Sequence, residues 1–207
     1  MRGGAPQIVR RSLRTGAEEE LSPAGPAAHF PNDLSPDGQW LLFGRRAERG
    51  DTDLLALRLR DRQLVPFRTS PANETLARFS PDGKFVAFGT NENGPFQVVI
   101  APFPSGLGTP VSSGGATLPR WSADGRELFY IGADGELMAV RVTLTPSLEI
   151  GPPVRLFTAR ARDGTWRTYE VARDGRFFAL VRTQVASEQP LTVLVNWRPS
   201  GSSAVGK

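Results

Sequence analysis

Four aspartates recur at one place in a short motif, and carboxylates at regular spacing could bind a metal ion or act as acids and bases. The motif reads Ser-Pro-Asp-Gly at 35–38 and 80–83, Ser-Ala-Asp-Gly at 122–125 and Ala-Arg-Asp-Gly at 172–175. The steps between successive aspartates are 45, 42 and 50 residues. A period of roughly 20–50 residues indicates a repeat protein.

The composition of this motif also explains the aspartates without any ligand. Proline at the second position presets its own φ for a type I turn, and aspartate accepts hydrogen bonds from the backbone. Glycine at the fourth position adopts the left-handed conformation that closes a bulged hairpin. We therefore predict structural turn roles for Asp37, Gly38, Asp82, Gly83, Asp124, Gly125, Asp174 and Gly175.

Few other residues are candidates for catalysis or metal binding. The only histidine, His29, lies in a stretch of prolines and alanines, and we expect it on the surface or in loop packing. Asp51 and Asp53 could meet at a calcium ion, but the rest of an EF-hand loop is missing, so we expect a solvated charged loop. The chain has no cysteine, no Gly-x-Ser-x-Gly elbow and no phosphate-binding loop. We predict no catalytic residue, no metal ligand and no cofactor.

The charge pattern argues against a nucleic-acid partner. The formal net charge is +4, and the basic residues are almost all arginines spread along the chain. A nucleic-acid-binding protein gathers its basic residues on one face. No run approaches the ~20 apolar residues of a spanning helix, so we expect no membrane span in this chain. No signal peptide is visible at the N-terminus.

Each turn motif stands between short runs rich in β-branched and aromatic residues, which predict strands. Each repeat holds about four such strands, and helical periodicity is absent. A β-sandwich also has strands every 8–12 residues, but it would not reuse one turn motif at one offset. We predict an all-β chain, a β-propeller of four-stranded antiparallel blades. Recurring aromatics are expected between the blades: Trp40, Phe85, Phe88, Trp121, Phe129, Tyr130, Trp166 and Phe177.

Two stretches, 79–88 and 119–130, resemble the TolB-like, WD40-like propeller repeat, in which an aromatic precedes Ser-Pro-Asp-Gly-Lys/Arg. The resemblance is specific over 75–145, and the fourth motif departs from it by lacking both serine and proline. The C-terminal half is also similar to the end of the sensor-like propeller of bacterial Ser/Thr protein kinases. No kinase motif is present, so no kinase activity follows. The resemblance implies a periplasmic or extracytoplasmic location, which the sequence leaves open.

The chain begins with the last two strands of one blade and ends with the first three strands of another, which suggests an incomplete propeller with about four blades' worth of strands. Two arrangements remain open at this point. In one, the strand at 18–21 completes the last blade and closes a small ring. In the other, which we favour, the chain is the C-terminal part of a longer propeller. Open blade edges then predict self-association. The expected divisions are 1–29, strands C and D of a partial blade with a loop; 30–70, 71–114 and 115–160, whole blades; 161–198, strands A to C; and 199–207, a disordered tail.

These features favour a non-catalytic propeller module that binds a protein, a peptide or another ligand. Such a module would be the sensor or scaffold region of a kinase-linked or TolB-like protein. The alternative is the propeller portion of an enzyme, either a peptidase gate domain or a propeller lyase or lactonase. Binding surfaces on a rigid scaffold concentrate in its loops, and the sequence does not choose between the rim loops and an axial channel.

Overall fold

The computed structural model describes residues 5–23, 25–46, 50–158 and 169–179. Trp166 and most of the predicted partial blade at 161–198 lie outside the described residues, as does the predicted tail. Every regular element in the described part is a strand. None of its segments is a helix long and apolar enough to cross a membrane. The chain divides into two compact units, 1–119 and 120–207.

The first unit begins with a two-stranded antiparallel hairpin of β1 (Val9–Arg11) and β2 (Glu18–Glu20). Gly16, at a φ of +71°, lies in the turn between them. Ile8 and Leu21 flank the hairpin, and the amide of Leu21 donates to the carbonyl of Ile8 at 2.8 Å. Both side chains are buried against the sheet that follows, which fixes the hairpin over one of its faces.

The first sheet contains β3 (Ala28–Leu34), β4 (Trp40–Arg46), β5 (Thr52–Arg58) and β6 (Gln63–Arg68), paired in that order. Every pair is antiparallel. Successive side chains of a strand point to opposite faces. The central strands β4 and β5 are buried over runs of consecutive apolar residues, because both faces of the sheet are covered along these runs.

The second sheet repeats this order with β7 (Glu74–Phe79), β8 (Phe85–Thr90), β9 (Gln97–Pro102) and the short β10 (Thr109–Pro110). It packs against the first sheet through a continuous apolar layer. Phe103, just after β9, lies in this layer. Its ring centroid lies 5.3 Å from Trp40, 5.9 Å from Phe67 and 4.9 Å from Phe79.

The third sheet lies mostly in the second unit. Its strands are β11 (Ala116–Trp121), β12 (Glu127–Gly132), β13 (Glu136–Thr143), β14 (Glu149–Ile150) and β15 (Val154–Thr158). Both β14 and β15 pair with β13. The fourth turn motif joins a last antiparallel hairpin of β16 (Tyr169–Val171) and β17 (Phe177–Ala179). The prediction of an all-β chain with four-stranded antiparallel sheets is confirmed.

The strand before a turn motif carries a bulge that the sequence did not predict. Leu76 and Leu118, at equivalent places, have φ values of +59° and +57°, a conformation that side chains other than glycine rarely adopt. A bulge leaves backbone amides unpaired in the ladder. In the second sheet, Ala77 in the bulge donates to Asn32 Oδ1 of β3 at 3.0 Å, and Phe79, two residues later, donates to Asp33 Oδ2 at 2.9 Å.

Candidate functional site

One serine hydroxyl closes each of the first three turn motifs. In the second motif, Ser80 Oγ donates to Asp82 Oδ1 at 2.5 Å and accepts the amide of Phe85 at 3.0 Å. Gly83 has a φ of +72°, and its amide donates to the Ser80 carbonyl at 2.9 Å. The first and third motifs make the same bonds. The aspartates therefore act inside the turns, joining a serine to the start of the next strand.

The fourth motif keeps this turn without its serine. Asp174 Oδ1 accepts the amide of Arg176 at 3.2 Å, and Oδ2 accepts from Arg176 Nε at 2.7 Å. Gly175 has a φ of +81°, and its amide donates to the Ala172 carbonyl at 3.0 Å. The arginine side chain thus supplies the bond to the aspartate that serine supplies elsewhere. A basic residue also stands two positions after Asp82 and Asp124, so its presence alone did not signal this substitution.

His29 is not the surface or loop residue that the sequence suggested. It lies in β3 and is only 3% exposed. Its Nδ1 lies 2.9 Å from Gln7 Oε1, and its ring meets the edge of Phe43 at 5.4 Å. Burial, with a smaller effect from Arg45, lowers the pKa of His29, so the ring is neutral at neutral pH. The histidine therefore packs the N-terminal segment onto the first sheet.

The two acids considered for calcium do not form a site in the structure. Asp53 lies in β5 rather than in a loop, and its carboxylate pairs with Arg45 at 2.6 Å. Asp51 precedes the strand. Among the described residues, no group of three or more histidine, aspartate or glutamate side chains is arranged to hold a metal ion.

A cleft of about 380 Å³ opens in the second unit between the third and fourth turn motifs. Its apolar lining includes Phe129, Ala139, Leu156 and Phe177. The rings of Phe129 and Phe177 meet edge to face with centroids 4.9 Å apart. The turn motifs contribute the polar part of the lining, so apolar walls lie beside a charged mouth. A volume of this size falls in the range that binds small ligands, roughly 300–1,000 Å³.

Three carboxylates and one arginine side chain line this cleft: Asp124, Glu127, Asp174 and Arg173. The hydrogen bond from Ser122 is the main cause that lowers the pKa of Asp124. The backbone amide of Arg176 is the main cause that lowers the pKa of Asp174. Both aspartates are therefore ionised at neutral pH, and Asp174 is already paired with Arg176 at 2.7 Å.

A partly buried ion pair connects the strands beside the cleft. The Arg120 guanidinium is almost fully buried, and its Nε lies 3.1 Å from Glu170 Oε2. The same guanidinium lies over the ring of Tyr169, 5.7 Å from its centroid. This pair joins β11 to β16, and it holds the fourth turn motif beside the third sheet.

A second polar feature lies in the first unit, at the start of β7. Glu74 is 2% exposed; its Oε1 accepts from Ser70 Oγ at 2.5 Å, and its Oε2 has no hydrogen-bond partner. Burial is the main cause that raises the pKa of Glu74; the charges of Asp53 and Glu92 add to the effect, whereas Arg68 opposes it. A buried carboxylate without a full set of partners costs stability when it is ionised.

The Glu74→Gln variant tests this cost. The folded pKa of Glu74 is raised, so the group's contribution to stability is present in full below its ordinary pKa of 4.5 and is lost as the pH rises through the folded pKa. We expect Glu74→Gln to raise the free energy of unfolding at pH 7 and to have no such benefit at pH 4. Urea unfolding at both pH values measures this, with the exposed Glu149→Gln as control. An equal change at both pH values would contradict the assignment.

No family model matches the chain. Among solved structures it is similar to TolB from Acinetobacter baumannii, with 19% identity and a TM-score of 0.63 over 86% of this chain and 43% of that one. It is also similar to an oligogalacturonate lyase in complex with manganese, with 11% identity and a TM-score of 0.63 over 84% of this chain and 50% of the lyase. The chain has the fold of a TolB-like β-propeller.

A third similar structure is a puromycin-hydrolyzing peptidase from Mycobacterium tuberculosis, with 18% identity and a TM-score of 0.61 over 86% of this chain and 32% of the peptidase. The chain thus spans half or less of the length of each of these three proteins. The predicted TolB-like resemblance is confirmed at the level of the fold. The further resemblance to kinase-linked propellers stays a prediction.

Proposed function

We propose that this TolB-like propeller module is non-catalytic and binds a protein or peptide partner through the cleft between its third and fourth turn motifs. The observation that carries the proposal is the pairing of apolar walls with an acidic mouth in that cleft. Loops and turns on a rigid scaffold are the usual place for binding. The turn motifs here both hold the sheets together and present their carboxylates to a ligand.

The lining determines the chemistry of the partner. Phe129 and Phe177 line the cleft and are largely buried, which favours an aliphatic or aromatic side chain of the ligand beside them. Asp174 is paired with Arg176 at 2.7 Å, whereas Asp124 is 60% exposed and lies 3.9 Å from Arg126, so Asp124 is the aspartate that reaches a cationic group at the mouth. The best ligand is therefore an exposed peptide segment with an apolar residue next to a lysine or arginine.

The second candidate is the propeller portion of an enzyme. The similar structures include a lyase and a hydrolysing peptidase, and this chain spans only part of each. In that case the cleft would hold a segment of the substrate while groups outside the described residues do the chemistry. The two candidates differ in whether a bound peptide is recovered intact.

The test uses the full chain and a library of acetylated hexapeptides in which a leucine or phenylalanine stands next to lysine, with aspartate in place of lysine in the control set. We expect micromolar to submillimolar binding for the lysine set by calorimetry. Glu127→Gln should weaken it about fivefold, as expected for an exposed charge pair. Glu149→Gln, on the exposed strand β14, should leave it unchanged.

A variant that fills the cleft gives an independent result. Ala139→Trp should abolish binding, because Ala139 lines the apolar part. Equal affinity for both peptide sets, or full binding by Ala139→Trp, would overturn the proposed site. Mass spectrometry of the recovered peptides gives the remaining readout. Cleaved peptides would favour the enzyme candidate over the binding module.

A further inference from the structure

Part of one face of the first sheet is apolar and incompletely covered, as a comparison with the equivalent positions of the second sheet shows. Counted from the serine of each turn motif, Leu34 of the first sheet corresponds to Phe79 of the second, and Leu41 corresponds to Val86. Each repeat also bonds the end of its third strand to the residue after its turn motif. The amide of Leu59 donates to the Gln39 carbonyl at 2.8 Å, as the amide of Phe103 does to the Lys84 carbonyl.

In the second sheet, these positions are sealed by the first sheet. Phe79 is 6% exposed and Val86 is fully buried. The covering side chains include Trp40 and Leu42 of β4, which lie in the same apolar layer. Strand β4 is therefore part of what covers such a face, and β3 beside it accepts hydrogen bonds from β7 through Asn32 and Asp33.

In the first sheet, the equivalent face is covered over Phe43 and β5 but not over Leu34, Leu41 and Leu59. Ile8 and Leu21 bury Phe43 and its neighbours on β5. Leu34 remains 50% exposed, and Leu41 and Leu59 are only partly buried. The hairpin of β1 and β2 supplies the outer two strands of a cover, and the counterparts of β3 and β4 are absent from the described residues.

The β1 strand has a free edge at the same place. Among the described residues, β1 pairs with β2 alone. Ile8 bonds to Leu21 across that pair, and inward bonds alternate along an antiparallel strand. The amides of Val9 and Arg11 therefore point away from β2. Val9 is itself half exposed. An unpaired strand edge next to an exposed apolar face is a site for the addition of a further strand.

We propose that this surface, made of the free edge of β1 and of Leu34, Leu41 and Leu59, binds a β-hairpin from a partner protein. The inner strand of that hairpin pairs antiparallel with β1, as β4 does with β5. The partner carries a bulky aromatic residue at the position of Trp40 and an aliphatic residue two positions later, because those side chains seal the second sheet. This surface is separate from the cleft, so the two proposals fail independently.

The chain itself supplies the probe. A fluorescent synthetic peptide with the sequence of residues 28–46 presents the aromatic and aliphatic residues of β4 in the required spacing. We expect it to bind the full chain with a micromolar Kd by fluorescence anisotropy. Leu34→Asp in the chain should weaken binding at least tenfold, and it should leave the fold intact because Leu34 is half exposed. Leu107→Asp, at a position 92% exposed in the second sheet's connection, is the matched control.

Two further measurements make the test specific. The peptide in which aspartate replaces both Trp40 and Leu42 should not bind. Hydrogen exchange at the amides of Val9 and Arg11 should slow when the unmodified peptide is added. Unchanged binding by Leu34→Asp, or unchanged exchange at β1, would overturn the proposal. A chain dimer that resists the peptide and dissociates on Leu34→Asp would also overturn it, because a second copy would then be the occupant.

Discussion

The Phe103→Ala variant is expected to lower the free energy of unfolding by about 3 kcal/mol. Phe103 contacts the rings of Trp40, Phe67 and Phe79, and it fills the layer between the first and second sheets. Alanine leaves a cavity there, because the strands on both sides are fixed by their own hydrogen bonds and cannot close over it. Urea unfolding followed by tryptophan fluorescence measures the loss, since Trp40 lies in the same cluster.

The control for this variant lies four residues along the same connection. Leu107 is 92% exposed, so Leu107→Ala should change the free energy of unfolding by no more than about 0.5 kcal/mol. A small effect for Phe103→Ala, equal to that of the control, would mean that the layer between the sheets does not depend on this ring.

The Ser80→Ala variant is expected to cost about 1–3 kcal/mol, the range for leaving a buried hydrogen-bonding group unsatisfied. Ser80 is fully buried, and its hydroxyl both donates to Asp82 and accepts the amide of Phe85. The same change at Ser122 should cost less, because the third turn motif is partly open to water. Thermal or urea unfolding of both variants gives the comparison, with the exposed Ser113→Ala as control.

The order of these three effects is the decisive result. If Ser80→Ala and Ser113→Ala unfold at the same urea concentration, the hydroxyl does not hold the turn, and the proline and glycine suffice. By the same reasoning, the bond from Arg176 to Asp174 would not be needed to hold the turn at 172–175. If Ser122→Ala proves as costly as Ser80→Ala, burial is not what sets the cost.

The repeated turn motif predicted the fold because the conformation of each turn depends on residues next to one another in the sequence. Asp82 and Gly83 determine a turn within four residues, and the flanking apolar runs can form only strands of a few residues. The bulges were not predictable in this way, since Leu76 and Leu118 are residue types that disfavour a positive φ. In the second sheet, the amides of Ala77 and Phe79 next to Leu76 bond to acceptors on β3, which belongs to another sheet.

The cleft and the place of His29 also depend on residues far apart in the sequence. His29 is buried because Gln7, twenty-two residues earlier, bonds to its ring. The cleft forms where the third turn motif, Leu156 and the hairpin at 169–179 lie together. No local sequence pattern predicts that these distant segments are close in space. The sequence showed that the fourth motif lacks serine and proline. It did not show that Arg176 bonds to Asp174 in their place.

The hydrogen bonds from the bulge of β7 to Asn32 and Asp33 restrict how such a chain can grow by gene duplication. A second copy of the repeat at 71–114, inserted directly after the first, would present Ala77 and Arg78 where Asn32 and Asp33 stand. Neither side chain offers an oxygen to the bulge amides. The copy would therefore leave the amides equivalent to those of Ala77 and Phe79 without the acceptors that β3 supplies, so the first two repeats are not interchangeable at this contact.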